Sequence, residues 1–356
     1  MSNKFKINNH NIGINEPTYF IADIAANHDG SLDKALDLIN LCAESGANAA
    51  KFQNFTASTI VSDYGFKKLK NQSSHQSSWA KSVSEVYNDA SIPLEWAPLL
   101  KDECSKVGID YFTSPYDINF LDYLSEYVAA WKIGSGDITW HEAIVKMSSY
   151  NLPLFIAAGA SNMQEVIKVM DLLKGLNSNV CLMQCNTNYT ASLENFKFIS
   201  LNVLKAFAKK FPNVILGLSD HTPGHATVLG AIALGARVIE KHYTDNNLNG
   251  GPDHKFSMMP DEWKDMVERS RELELALGTE EKKVMDNELE TVVIQRRSIR
   301  AAKSIKKGGS INRENIEFLR PCPINALEPY RVNDVINKQA KRDIPSGDVI
   351  YLEDLI

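Results

Sequence analysis

A closed (β/α)8 barrel of the α/β class followed by a small second domain is the fold this sequence predicts. Three observations carry that expectation: eight short apolar, β-rich runs alternate with helix-like stretches, the runs end in polar residues, and the texture of the chain changes near residue 290. A length of 356 residues accommodates one barrel and one small unit.

The runs cover 19–25, 47–54, 110–115, 129–135, 154–159, 180–186, 214–221 and 237–244. They are apolar enough to be buried on both faces, as in a parallel sheet, and no G-x-G-x-x-G follows the first, which favours a barrel over an open doubly wound sheet. After the first run, residues 32–45 place Ala35, Leu36, Leu38, Ile39 and Cys42 on one helical side, ending just before Gly46. The gap after the second run is longer than the others, and 67–84 is rich in Lys, Ser, Gln and Asn. The stretch 57–90 therefore reads either as a lid over the rim or as a plain surface excursion.

Past Asp261 a charged helix pattern continues through Ala276. Short β-like runs at 298–302 and 316–319 follow, with turn-forming KKGG at 306–309 and SGD at 346–348. The expected division is a barrel over 1–280, a linker over 281–294 and a mixed or β-rich domain over 295–356.

The composition, with 44% hydrophobic and 23% charged residues, is that of an ordinary globular protein. A net charge of -6 with both signs interspersed leaves no basic stripe for nucleic acid. No run approaches the roughly 18 apolar residues of a membrane helix, and the polar N-terminus has no secretory pattern, so a cytoplasmic location is expected. Cys42, Cys104, Cys181, Cys185 and Cys322 read as buried reduced thiols. Cys181 and Cys185, four apart on one strand, would face the same side about 13 Å from each other, too far for a disulfide.

The polar residues closing the runs carry the chemistry, because barrel active sites sit at the carboxyl ends of the strands. They are Asp23, Asn27 and His28; Lys51 and Gln53; Ser114 and Tyr116; Lys132, Ser135 and Asp137; Ser161; Gln184, Asn186, Thr187 and Tyr189; Ser219, Asp220 and His221; and Glu240, Lys241 and His242. Lys51 and Lys132 lie in otherwise apolar strands and call for an anionic partner, either a structural carboxylate or, for two lysines beside hydroxyls and glycines, a bound phosphate and carboxylate. KIGSGD (132–137) reads as an oxyanion cradle in which two glycines let the backbone come close. His221 and His242 end neighbouring strands, where their imidazoles can reach one ion; with no thiolate expected and oxygen donors coming from substrate, Mn²⁺ or Mg²⁺ fits better than structural zinc.

NHDG (27–30), KFQ (51–53), KIGSGD (132–137), GLSDHT (217–222), EKHYT (240–244) and GPDH (251–254) together resemble the sialic acid synthase family. SIRAAKSIKKG (298–308) and LRP (319–321) resemble the antifreeze-like, or SAF, domain with a β-clip fold that ends these synthases. The motifs occur in order and span nearly the whole chain. The resemblance implies a transferase of nonulosonic acid biosynthesis that condenses phosphoenolpyruvate with an open-chain N-acylated hexosamine aldehyde, such as N-acetylmannosamine. The products would be a nine-carbon 2-keto-3-deoxy acid and phosphate.

The resemblance further implies Asp23 and Asp137 as acid–base candidates and a divalent metal, Mn²⁺ or Mg²⁺, on His221 and His242. Lys51, Lys132, Ser114, Ser135 and Ser219 would hold phosphoenolpyruvate, with Gln53, Thr187, Tyr189 and Asp253 around the substrates. Arg320 would reach the N-acyl group in the partner's barrel of a domain-swapped homodimer. Asp23 and Asp137 stand where the family usually has Glu, Thr187 where it has Asn, and the segment after Arg320 lacks the usual glycine-containing turn. A phosphoenolpyruvate condensation with another aldose and a non-catalytic sugar-binding derivative are the competing readings.

Overall fold

The chain begins with an antiparallel hairpin, β1 (Lys4–Ile7) and β2 (His10–Gly13), that the apolar runs did not foreshadow. In the computed structural model, which describes residues 3–69, 76, 79, 81–177 and 179–356, two compact units are formed, Met1–Gly278 and Thr279–Ile356. In the first unit, β3 (Tyr19–Asp23), β4 (Ala49–Asn54), β5 (Asp110–Pro115), β6 (Ala130–Ile133), β7 (Leu154–Ala157), β8 (Val180–Cys185), β9 (Ile215–Asp220) and β10 (Ala236–His242) pair in parallel, and β10 closes on β3. The (β/α)8 expectation is met. Several predicted runs overshoot their strands by one or two residues at the carboxyl end, where Gly134, Ser135 and Asn186 leave the ladder to build the rim.

Alternation of side chains divides the core into two layers. Inside the barrel lie Tyr19, Ile21, Ala49, Phe112, Ala130, Phe155, Met183 and Val238, and the hairpin's Phe5, Ile7 and Ile12 join them at the amino-terminal end. Asn8 and His10 fix the hairpin by bonding the Asp110 carboxylate at 2.6 and 3.0 Å. Outside, Phe20, Phe52, Trp131, Ile156, Leu218 and Ile239 pack against the helices. The helix Leu32–Glu44 buries Ala35, Leu38, Ile39 and Cys42 as its periodicity requires, and the Ser31 side chain caps it by accepting from the Lys34 N–H. The helix Pro260–Leu277 buries Trp263 and Met266. All five cysteines are buried and unpaired.

In the second unit β11 (Ser298–Ala301) and β12 (Ile316–Leu319) are antiparallel, and isolated bridges such as Ile305 with Ile344 hold much of the remainder. Its core contains Ile299, Ile311, Leu327, Val335 and Ile350. The turns at KKGG and SGD use Gly308 (φ 78°) and Gly347 (φ 86°) in the left-handed region that glycine tolerates. The segment 281–294, expected as a linker, carries most of a short helix, Leu289–Gln295, and the Cys322 N–H donates to the Val293 carbonyl. Among the described residues no helix is long and apolar enough to cross a membrane.

Candidate active site

The alternation that fills the barrel also selects the residues at its mouth. On β10, Val238 faces inward and Ile239 outward, so Glu240 and His242 point to the interior and Lys241 to the helices. The same parity carries Asp23 in from β3, Lys51 and Gln53 from β4, Lys132 from β6 and Ser219 from β9. Of the predicted residues, Asp23, Lys51, Gln53, Lys132, Ser135, Tyr189, Ser219, His221, His242 and Asp253 line one cavity.

Its floor is a buried charge network. Lys51 Nζ is 2.7 Å from Asp23 and 3.4 Å from Glu240, and Lys132 Nζ is 3.1 Å from Glu240. The Lys51 ammonium also donates to Ser114 Oγ at 3.3 Å, and Ser219 donates to Glu240 at 3.3 Å. Each lysine thus has a protein carboxylate within ion-pair distance. Burial raises the Asp23 carboxyl above its ordinary range, against the pull of Lys51. Burial pushes Glu240 the same way, but Lys132 and Lys51 outweigh it and hold this carboxylate below its usual value. Lys51 stays charged because Asp23 and Glu240 overcome its desolvation.

His221 and His242 stand with ring centroids 5.3 Å apart, walled by Tyr189 and Phe256. His221 Nδ1 lies 3.0 Å from the Asn186 carbonyl, which fixes that nitrogen as the N–H, and burial, which would lower the ring's pKa, is outweighed by its hydrogen bond with Cys185, so the pKa is raised. Burial, then the neighbouring His221 and lysines, hold His242 neutral; its Nδ1 is buried with no hydrogen-bond partner. The two imidazoles, with the Asp23 carboxyl 3.4 Å from His242 Nε2, are nitrogen and oxygen donors of the kind a divalent cation takes. Among the described residues no group of three or more His, Cys, Asp or Glu side chains is arranged to hold a metal ion.

Behind this floor Lys241 pairs with Asp220 at 2.5 Å and donates to the Thr222 carbonyl. Thr222 and Thr227 donate to the same Asp220 oxygen. These groups flank both histidines in sequence and lock the ends of β9 and β10 from outside. At the mouth, Asp253 accepts from the Ala26 N–H at 3.2 Å, tying GPDH to the residue just before NHDG, and burial raises its carboxyl to about 6. His254 bonds Asp29 and Thr244 in the same joint.

Some predicted residues are placed differently. Ser114 touches Lys51 but does not line the cavity. Asp137 and Thr187 also lie off its surface; Asp137 is half-buried, and the Thr187 hydroxyl is buried without a partner. Arg320 is exposed in the second unit. In KIGSGD only Gly134 is demanded by space, since a Cβ there would meet Tyr116 Oη at 2.7 Å; Gly136 has nothing within 4 Å. Glu240, Tyr116 and Cys185 line the site without having been assigned a role. Strand parity was the available signal for Glu240, two residues before His242. Of the expected lid, 70–75, 77, 78 and 80 lie outside the described residues, while Ile60, Gln76, Trp79, Val86, Tyr87 and Ala90 from the same stretch do line the cavity.

Residues 38–282 match the NeuB family and 296–356 the SAF domain. The N,N'-diacetyllegionaminic acid synthase of Legionella pneumophila is 33% identical, the alignment covering 94% of each chain. The pseudaminic acid synthase of Campylobacter jejuni is 31% identical over 96% of this chain and 97% of its own. Among solved structures, the N-acetylneuraminic acid synthetase of Leptospira borgpetersenii superposes with a TM-score of 0.71 at 27% identity, covering 82% of this chain and 96% of that one. A family match across the barrel, joined to a relative one-third identical over nearly full length, places this chain in the NeuB family, with a SAF domain at its C-terminal end.

Proposed function

We propose that the protein is a nonulosonic acid synthase that condenses phosphoenolpyruvate with an open-chain N-acylated hexosamine aldehyde, giving a nine-carbon 2-keto-3-deoxy acid and inorganic phosphate. The observation that carries this reading is the convergence of two buried lysines and two histidines on one cavity floor. Lys51 and Lys132, with Ser135 and Ser219, hold the phosphate and carboxylate of the enol phosphate; Asp23 and Glu240 aim the two ammonium groups. When bound by His221 and His242, Mn²⁺ or Mg²⁺ supplies Lewis acidity at the aldehyde oxygen. Gln53, Tyr189 and Asp253 orient the acceptor.

C3 of the enol phosphate bonds to the aldehyde carbon, whose oxygen takes up a proton. Water adds at C2 with loss of a proton, and the C2–O bond to phosphate breaks to leave the ketone. Asp23, its carboxyl raised by burial and within reach of Lys51 and His242, is the group on this floor that can accept and return a proton. Asp137, Ser114 and Thr187 support this floor from behind its surface. The barrel and SAF regions act as separate domains of a homodimer, Arg320 serving the partner's acceptor. The test is phosphate release that requires both phosphoenolpyruvate and an N-acyl hexosamine, with mass spectrometry of the product. No release across a panel of aldoses under metal-replete conditions refutes the reading.

A further inference from the structure

Tyr116 lines the cavity and has no part in the steps of the condensation. It stands at the end of β5, which lies between β4, the strand of Lys51, and β6, the strand of Lys132. Phe112 faces the barrel interior, so by strand alternation Ser114 and then Tyr116 do as well. Ser114 is on the floor, 3.3 Å from Lys51 Nζ, and Tyr116 comes one pleat nearer the mouth. Its backbone is still tied to β4, because the Tyr116 N–H donates to the Asn54 carbonyl at 2.9 Å. The side chain leans the other way, toward β6. Its hydroxyl reaches the turn just past Lys132, where a Cβ on Gly134 would come within 2.7 Å of Oη. The missing Cβ is what admits the hydroxyl beside Lys132 and Ser135.

The hydroxyl is held in place and has no partner. Phe55 packs edge-on against the ring with centroids 6.1 Å apart. Among the described residues no group hydrogen-bonds Oη. Burial first, then Asp137 and Asp23, push this hydroxyl above its ordinary value, so it stays a neutral O–H donor. An unpaired donor in a partly buried site costs free energy until a ligand answers it, and an oxyanion gains most from donors already oriented.

We infer that the Tyr116 hydroxyl donates a hydrogen bond to an anionic oxygen of the phosphoenolpyruvate held by Lys51 and Lys132, adding an uncharged donor to the two charged ones. The identity of that anion rests on the synthase reading. The first glycine of KIGSGD then has a second role besides its own turn: it makes room for a hydroxyl that arrives from the neighbouring strand.

The experiment is calorimetric titration of the parent and Tyr116→Phe with phosphoenolpyruvate, without acceptor, alongside urea unfolding of the unliganded proteins. Loss of a hydrogen bond to a charged oxygen should weaken phosphoenolpyruvate roughly tenfold or more. The unliganded variant should be at least as stable as the parent, because the hydroxyl it lacks had no partner. A purely structural hydroxyl gives the opposite split, with stability lost and affinity kept, and that result overturns the inference. Gly134→Ala should displace the hydroxyl and weaken phosphoenolpyruvate by a similar factor in the parent, but by less than about threefold in the Tyr116→Phe background, where the clash at Oη is gone. Equal affinity of parent and Tyr116→Phe, or fully additive effects in the double variant, overturns the inference. Failure of every acceptor to turn over counts against the synthase reading alone, since the binding comparison still decides the role of Tyr116. A parent that binds neither phosphoenolpyruvate nor inorganic phosphate overturns both.

Discussion

Glu240→Gln removes the carboxylate that two buried lysines share while keeping the side chain's shape. Glu240 lies 3.1 Å from Lys132 and 3.4 Å from Lys51, and Lys51 alone has a second carboxylate, Asp23 at 2.7 Å. Each Glu240 pair is worth about 5 kcal/mol at an effective dielectric near 20, but relief of the glutamate's own desolvation returns part of this, so a net loss of about 3–5 kcal/mol is expected. Most of it falls on Lys132, left without a countercharge. Buried Trp131 and Trp263 report the barrel, so urea unfolding followed by tryptophan fluorescence measures the change. Phosphoenolpyruvate or inorganic phosphate should restore much of the lost stability, and should bind the variant more tightly than the parent, because an anion then supplies the missing charge. A variant within about 1 kcal/mol of the parent without anion, or one that phosphate does not rescue, refutes the neutralised-floor account.

Lys241→Met leaves Asp220 buried with only its two threonine donors and should cost about 3–5 kcal/mol, read in the same urea assay. His28 is buried and held at about 4 by desolvation, below its ordinary 6.5, so the unfolded chain takes up the proton first as pH falls. Its stabilising contribution is complete above pH 6.5 and lost by pH 4, about 3 kcal/mol in all, and His28→Gln should flatten that part of the pH–stability curve relative to the parent. Saturating Mn²⁺ should raise the melting temperature of the parent, equivalent to about 2.7 kcal/mol at a hundredfold excess over Kd, and should leave His221→Ala unmoved.

The barrel was legible because a parallel strand buried on both faces writes itself as a continuous apolar run, and eight such runs leave few alternatives. Its mouth was legible for the same reason reversed: Lys51 and Lys132 are conspicuous inside apolar strands. Which anion answers each lysine was not, because Glu240 meets Lys132 only through barrel closure over 107 intervening positions, and nothing local to either residue records that contact. The hairpin β1–β2 escaped notice because each strand has four residues and alternates with polar ones. Asp137 and Thr187 were placed by motif position, yet motif position does not tell which side of a turn a side chain leaves from; the short helical turn over Ser135–Asp137 puts Ser135, but not Asp137, on the cavity surface.

The hairpin has a kinetic consequence. With Phe5, Ile7 and Ile12 packed into the amino-terminal end of the barrel, traffic through that end is closed, and everything that reaches the lysines must pass the opposite mouth. In the synthase reading, an acceptor seated at the mouth beside Asp253 would cover the floor from that side, so phosphoenolpyruvate is expected to enter first. Initial-rate data should fit an ordered sequence in which an unreactive acceptor analogue inhibits uncompetitively against phosphoenolpyruvate; noncompetitive inhibition would mean that either ligand can enter first and refute the single-mouth order.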